Sequence, residues 1–142
     1  MASKPAFGDT SFFFALAVKK DPSHQRAVEA LAKLLRAQQQ IVTTDYILDE
    51  TLTLTKARIN SRIALQLLDR IDKSPATLIE WIGSDRFEGA KSFFRKHADH
   101  GYSFTDCTSF ILMRELGLQQ VLTTDHHFKE AGFQALLPTF SN

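Results

Sequence analysis

Four acidic residues stand out by where they fall against the apolar pattern of the chain: Asp9, Glu50, Asp106 and Asp125. Asp9 follows Pro5-Ala6-Phe7-Gly8, and Asp125 follows Gln120 to Thr123, so each comes after a segment that reads as a strand. Asp106 lies in the first turn of a helix opened by Ser103 or Thr105. Glu50 lies about two turns into a helix opened by Thr44 or Asp45. Carboxylates gathered in one cleft repel: at about 5 Å and an effective dielectric of about 20, each ionised pair costs roughly 3 kcal/mol. Such a cluster is either partly protonated or neutralised by a cation. All-oxygen donors suit hard ions, Mg²⁺ or Mn²⁺, better than zinc.

The elements that must bring these residues together alternate along the chain. A weak strand over Pro5 to Gly8 leads into an apolar helix from Ser11 to Val18. Lys19-Lys20-Asp21-Pro22 breaks it, and Asp21 or Ser23 caps a second helix to about Gln39 with an apolar stripe of Ala27, Leu31, Leu34 and Leu35. A strand over Gln40 to Thr43 precedes the helix to about Arg58. Asn60 or Ser61 caps another, with Ile63, Leu67, Leu68 and Ile71 on one face, ended by Ser74-Pro75. Thr77 to Ile82 reads as a strand, Ser84 or Asp85 to about His97 as a helix, and the helix after Ser103 stops at Gly117. Gln120 to Thr123, Asp125 to Ala131 and Gln134 to Leu137 complete the pattern as strand, short helix and last strand before Pro138. Strands alternating with helices predict an α/β sandwich around a mostly parallel sheet, with ligands at the C-terminal edge of the strands.

Geometry places two of the acids side by side. The helix from Asp106 to Leu116 descends roughly 15 Å at about 1.5 Å per residue. The strand to Thr124 climbs back roughly 17 Å at about 3.3 Å per residue. In the helix that follows Gln40 to Thr43, periodicity separates Glu50 from Asp49. Glu50 shares an inward stripe with Ile47, Leu54 and Ala57, whereas Asp49 falls with Asp45, Thr53 and Lys56 on a polar face.

Each acid also has a structural alternative. Asp106 can complete a capping box with Ser103, Asp125 can cap its short helix, and Asp9 can cap the helix at Thr10. Glu50 has the poorest alternative, because an inward carboxylate among apolar neighbours needs a partner. His97, His100, His126 and His127 lack zinc-motif spacing and read as solvated or helix-terminal. Cys107 reads as a core thiol, and no nucleophile elbow or phosphate loop is present.

Composition bounds the class. The 142 residues are 44% hydrophobic and 23% charged, which fits one domain spanning 1–142. A formal net charge of +1 neither requires nor excludes a nucleic-acid partner. One cysteine excludes an intramolecular disulfide, and the N-terminal residues show no apolar signal segment, so a soluble cytoplasmic protein is expected.

The segments Gly8-Asp9-Thr10-Ser11-Phe12, Thr44-Asp45-Tyr46-Ile47-Leu48-Asp49-Glu50, Ser103-Phe104-Thr105-Asp106-Cys107 and Leu122-Thr123-Thr124-Asp125-His126-His127-Phe128 resemble the PIN-domain nucleases, most closely the VapC-like toxins of toxin–antitoxin pairs. The resemblance implies a three-layer α/β/α sandwich with a mainly parallel five-stranded sheet. It implies an acidic Mg²⁺ or Mn²⁺ site at Asp9, Glu50, Asp106 and Asp125, supported by Ser11 and Thr105. It also implies hydrolysis of RNA to 5′-phosphate and 3′-hydroxyl ends. Phe12-Phe13-Phe14 is more aromatic than is common there.

Basic residues available to grip RNA phosphates are Lys19, Lys56, Arg58, Arg86, Arg95 and Arg114. The helix from Ser61 to Lys73, with Leu52 and Ile59, offers apolar surface for a second copy in a homodimer or for an antitoxin's amphipathic helix. Besides a toxin endoribonuclease, a housekeeping RNA-processing nuclease and a non-catalytic RNA- or protein-binding module stay open. An aspartyl phosphotransferase would want Asp-x-Asp, which Asp9-Thr10-Ser11 lacks.

Overall fold

The computed structural model describes residues 3–137; Pro138, expected to follow the last strand, lies outside them. The chain runs β1 (Ala6–Gly8), α1 (Thr10–Ala17), α2 (His24–Arg36), β2 (Ile41–Thr44), α3 (Asp45–Arg58), α4 (Ser61–Lys73) and β3 (Thr77–Glu80). It continues α5 (Gly83–Lys96), α6 (Phe104–Leu116), β4 (Gln120–Leu122), α7 (His126–Glu130) and β5 (Gln134–Ala135). Every expected strand and helix is present, with ends displaced by a few residues. The caps account for several boundaries. Thr44 and Asn60 accept hydrogen bonds from the backbone of Ile47 and Ile63, and left-handed Gly117 stops α6.

The strands form one parallel sheet in the order β3-β2-β1-β4-β5. From β1 the chain moves outward through β2 to β3, then crosses back to β4 on the other side of β1. Right-handed crossovers therefore put α1 to α4 on one face and α5 to α7 on the other. The direction reverses between β1 and β4, and the crevice beyond their C-terminal ends is where such sheets bind ligands. Asp9 follows β1 and Asp125 follows β4, so the topology sets both at that crevice.

Aromatic side chains fill the layer between sheet and helices. Phe7 of β1 lies 6.3 Å from Phe128 of α7, which meets Phe110 of α6 edge-on at 5.0 Å; all three are fully buried. Burial of each contributes roughly 1.5–3 kcal/mol and ties α6 and α7 to the central strand. Phe12 and Phe13 are buried as well. Phe13 explains Gly8, where a Cβ would stand 2.8 Å from its ring.

Some expected faces shift. In α2 the buried residues are Ala27 and Leu34, with Leu31 partly buried beside them, and Leu35, one position round the helix from Leu34, is 51% exposed. In α3 the buried stripe is Ile47, Thr51 and Thr55, one residue round from the apolar positions. Thr51 and Thr55 hide their hydroxyls in hydrogen bonds, so polar residues occupy the interior there while Ala57 is exposed.

Candidate active site

Asp9, Glu50, Asp106 and Asp125 all line one cleft of about 410 Å³, together with Thr10, Ser11, Phe14, Asp21, Leu54, Arg58, Ser103 and His127. Asp9 sits at the N-cap of α1, yet its side chain makes no capping hydrogen bond. Its Oδ2 accepts from Thr123 Oγ1 at 2.8 Å and from Ser11 Oγ at 3.2 Å. Those hydroxyls stitch the strand ends together: Ser11 Oγ accepts from the Thr124 backbone, and Thr123 Oγ1 from the Asp125 backbone. Asp9 is thereby only 6% exposed.

Asp106 is held by its capping box. Ser103 N donates to Asp106 Oδ2 and Asp106 N donates to Ser103 Oγ, both at 3.0 Å. The structural alternative for Asp106 is thus realised, and the same residue still lines the cleft. Asp125 likewise caps α7 through Oδ1, which accepts from His127 N at 2.9 Å, while remaining on the cleft wall. Ser11 supports Asp9 as expected. Thr105 does not line the cleft, and the hydroxyl that steadies Asp106 belongs to Ser103.

Glu50 differs from the expectation of burial. It is exposed, projecting from the edge of α3 rather than from its buried stripe. Its Oε1 accepts from Thr10 Oγ1 at 2.5 Å, and Thr51 Oγ1 donates in turn to Thr10. Thr10, adjacent to Asp9, therefore links the α3 wall to the α1 wall.

Burial raises the Asp9 carboxyl to about 7; the Thr123 hydrogen bond opposes the rise, and repulsion from Asp106 and Asp125 adds to it. Asp106 is raised too, first by burial and then by Asp125, against the opposing pull of Ser103 and His127. Among the described residues no lysine or arginine pairs with any of the four carboxylates. The donor set is hard and oxygen-rich, its like charges are paired with no lysine or arginine among the described residues, and so it fits a divalent ion.

His127 stands in the first turn of α7, a helix-terminal position as expected, but its ring is turned inward and is only 22% exposed. Its Nδ1 lies 3.1 Å from Asp125 Oδ1 and 3.3 Å from Asp106 Oδ2. Nothing local in Asp125-His126-His127 announces this, because Asp106 arrives from a distant element. Asp21 and Arg58, also on the cleft wall, were not singled out as carboxylate neighbours. The other histidines behave as expected at the surface: His100 pairs with Glu130 at 2.7 Å and His97 stacks on Phe93. Cys107 is fully buried, and burial pushes its thiol up to about 11.

Of the basic residues expected at the cleft, Arg58 alone lines it. Arg86 is engaged by Glu115 and Glu80, and the Arg114 guanidinium lies 5.0 Å over the Phe93 ring. Lys19 borders a different depression beside His24.

A parallel five-stranded α/β sheet with an acidic cleft at its switch point defines the class, and residues 6–134 match the family model of the PIN domain. The chain belongs to the PIN-domain family. It is 34% identical over 134 residues to the 23S rRNA-specific endonuclease VapC20 of Mycobacterium tuberculosis, in strains CDC 1551 / Oshkosh and ATCC 25618 / H37Rv. That match covers 93% of this chain and 98% of the relative. The crystal structure of Mycobacterium tuberculosis VapC20, described as a sarcin–ricin loop cleaving toxin, superposes with a TM-score of 0.79 at 32% identity, covering 92% of this chain and 96% of that one. FitAcB from Neisseria gonorrhoeae shares the fold at a TM-score of 0.65 and 16% identity, covering 92% of this chain and 95% of that one. Among the described residues no helix is long and apolar enough to cross a membrane.

Proposed function

We propose that this protein is a Mg²⁺- or Mn²⁺-dependent endoribonuclease that hydrolyses phosphodiester bonds of ribosomal RNA, and that it is the toxin of a toxin–antitoxin pair. The observation that carries the chemistry is the convergence of Asp9, Asp106 and Asp125 on one cleft, where no lysine or arginine among the described residues pairs with them. The substrate class follows the 34% identity to an endonuclease specific for 23S rRNA. A divalent ion bound there supplies positive charge for the scissile phosphate and a lowered pKa for the attacking water.

Asp9 and Asp106, the two most buried acids, are the residues that would hold the ion directly. Thr123, Ser11 and Ser103 fix their carboxylates before substrate arrives, so little ordering is left for the reaction. Asp125 and Glu50 complete the acidic wall. Glu50 keeps one carboxylate oxygen beyond its Thr10 bond and faces solvent, which suits it to take a proton from water. Arg58 at the rim is placed to contact a neighbouring phosphate, and Phe14 and Leu54 give the bases an apolar wall. Exposed Leu65 and Ile59, on and beside α4, offer the apolar surface for an antitoxin helix or a second copy.

The test is cleavage of purified ribosomal RNA, with sequencing of the new ends. Cuts that require Mg²⁺ or Mn²⁺ and vanish on chelation are expected. Undiminished cutting in excess chelator would overturn the metal-dependent reading.

A further inference from the structure

We propose that Asp125, His126 and His127 form a binding site for a borderline transition-metal ion, zinc in the first instance, which shares Asp125 with the carboxylate cleft. Each of the three offers a ligand atom within 4.8 Å of the other two. Ligand bonds of about 2.0–2.1 Å at tetrahedral angles leave donor atoms roughly 3.4 Å apart. His127 Nδ1 stands 3.1 Å from Asp125 Oδ1, and His126 Nδ1 stands 3.9 Å from the same oxygen. Asp106 Oδ2, 3.3 Å from His127 Nδ1, is within reach as a fourth donor.

A second observation points the same way. His127 Nδ1 is buried and makes no hydrogen bond, although two carboxylate oxygens lie within 3.3 Å of it. The ring is turned so that neither oxygen lines up with it. A buried polar atom left in that condition is costly, and a cation between the ring and the carboxylates satisfies all of them at once. The ring is also held in place. It packs edge-on against Tyr102 at 5.7 Å, and Gly101 leaves room for Nε2, which a Cβ there would approach to 3.1 Å. His126 is 76% exposed, which leaves it free to swing onto an ion.

The donor chemistry separates this site from the cleft beside it. Two imidazoles and a carboxylate suit zinc, nickel or copper, whereas magnesium prefers oxygen donors. An ion held here withdraws Asp125 from the acidic wall. Zinc then inhibits RNA cleavage, a consequence that rests on the nuclease reading, as the binding itself does not.

The experiment titrates zinc alone into chelator-stripped full-length protein by calorimetry, with cobalt absorption reporting a tetrahedral site. One zinc per chain is expected, bound at least about tenfold more weakly by His126→Ala and by His127→Gln. Magnesium affinity should stay within about twofold of wild type in His126→Ala, since imidazole contributes little to a magnesium site. Equal zinc affinity in wild type and the double variant would place the ion on the carboxylates alone and overturn the proposal. So would the absence of saturable zinc binding. Circular dichroism checks each fold, and His126, being exposed, supplies a variant whose folding is not at risk. Failed zinc binding with intact metal-dependent cleavage defeats this site only; zinc binding without cleavage defeats the nuclease reading only.

Discussion

Glu80 and Glu115 converge on Arg86, whereas Asp9, Asp106 and Asp125 pair with no lysine or arginine among the described residues. Around Arg86 the guanidinium donates to both Glu115 oxygens, to Glu80 and to the Trp81 carbonyl, and it holds the Glu115 carboxyl below its usual range. In the cleft the Asp9 and Asp106 carboxyls move the other way, Asp9 to about 7. Both clusters are drawn together by tertiary structure and differ in whether the chain supplies its own counter-charge. A cluster that does is complete as a joint between elements. One that does not leaves its charge for something from outside, and that difference is what marks the cleft as a site.

Breaking the cleft should have the largest effect. Asp9→Asn or Asp106→Asn should lower metal-dependent RNA cleavage by a factor on the order of 10³ or more, with the fold retained, whereas Glu80→Gln should leave cleavage near wild type. Comparable losses in all three, measured by initial rates at saturating Mg²⁺, would erase the distinction between the clusters.

The same substitution should stabilise the protein when metal is withheld. The folded carboxyl of Asp9 titrates near 7 against an ordinary value of 3.8. For an acid raised in this way the folded state binds more protons, so the penalty is absent below about 3.8, grows through the interval and is complete above about 7. The displacement corresponds to at most roughly 4 kcal/mol. In chelator, Asp9→Asn should therefore unfold at higher denaturant than wild type above pH 7, with the gap closing toward pH 4 as wild type takes up its proton. A gap independent of pH would show that Asp9 is not strained by its charge.

Thr123→Val sharpens the picture further. Its hydroxyl donates to Asp9 and opposes the burial that raises it. A hydrogen bond to a charged group contributes about 1.5–3 kcal/mol. Its loss should push Asp9 up by roughly one to two pH units, weaken Mg²⁺ binding at neutral pH and restore it at higher pH. Binding isotherms across pH would read this directly. Weakening that higher pH does not relieve would mean Thr123 acts on the site by packing alone.

These relations show which parts of the molecule can be read from its residues. Strand and helix positions follow from local signals: the Thr44 and Asn60 caps, the Ser103–Asp106 box and the Gly117 stop all act within a few residues. Asp9, Asp106 and Asp125 were legible because each stands at such a boundary, whereas Glu50, inside α3, was singled out by periodicity. Hydrogen-bond partners across the fold were not. Thr123 reaches Asp9 across 114 positions, and Thr10 reaches Glu50 across 40. Glu50 was assigned to a buried stripe because threonines count as polar in a periodicity argument, yet Thr51 and Thr55 take the interior and leave Glu50 at the edge. Arg86 was counted as a free cation because Glu115 is 29 residues away. His127 escaped notice for the same reason, its second neighbour Asp106 lying on α6 rather than beside it in the chain.

Breaking the Arg86 cluster should have the smallest effect. Arg86→Ala removes a bidentate pair that links α5 to α6, but the glutamate side chains are 40% and 49% open to water, so screening limits the loss to about 1 kcal/mol. For a chain of this size that is roughly 2–4 °C in melting temperature. Because the pair is exposed, the difference between wild type and Arg86→Ala should shrink in high salt. It should also shrink as pH falls. The Glu115 carboxyl is lowered by Arg86, so its contribution is present above the ordinary value and is lost as protonation sets in below it. Metal-dependent cleavage should be unaffected at temperatures where the variant is folded. A loss of cleavage at such temperatures would mean that Arg86, despite its glutamates, serves the RNA as well, and the contrast between a self-neutralised cluster and an open one would fail.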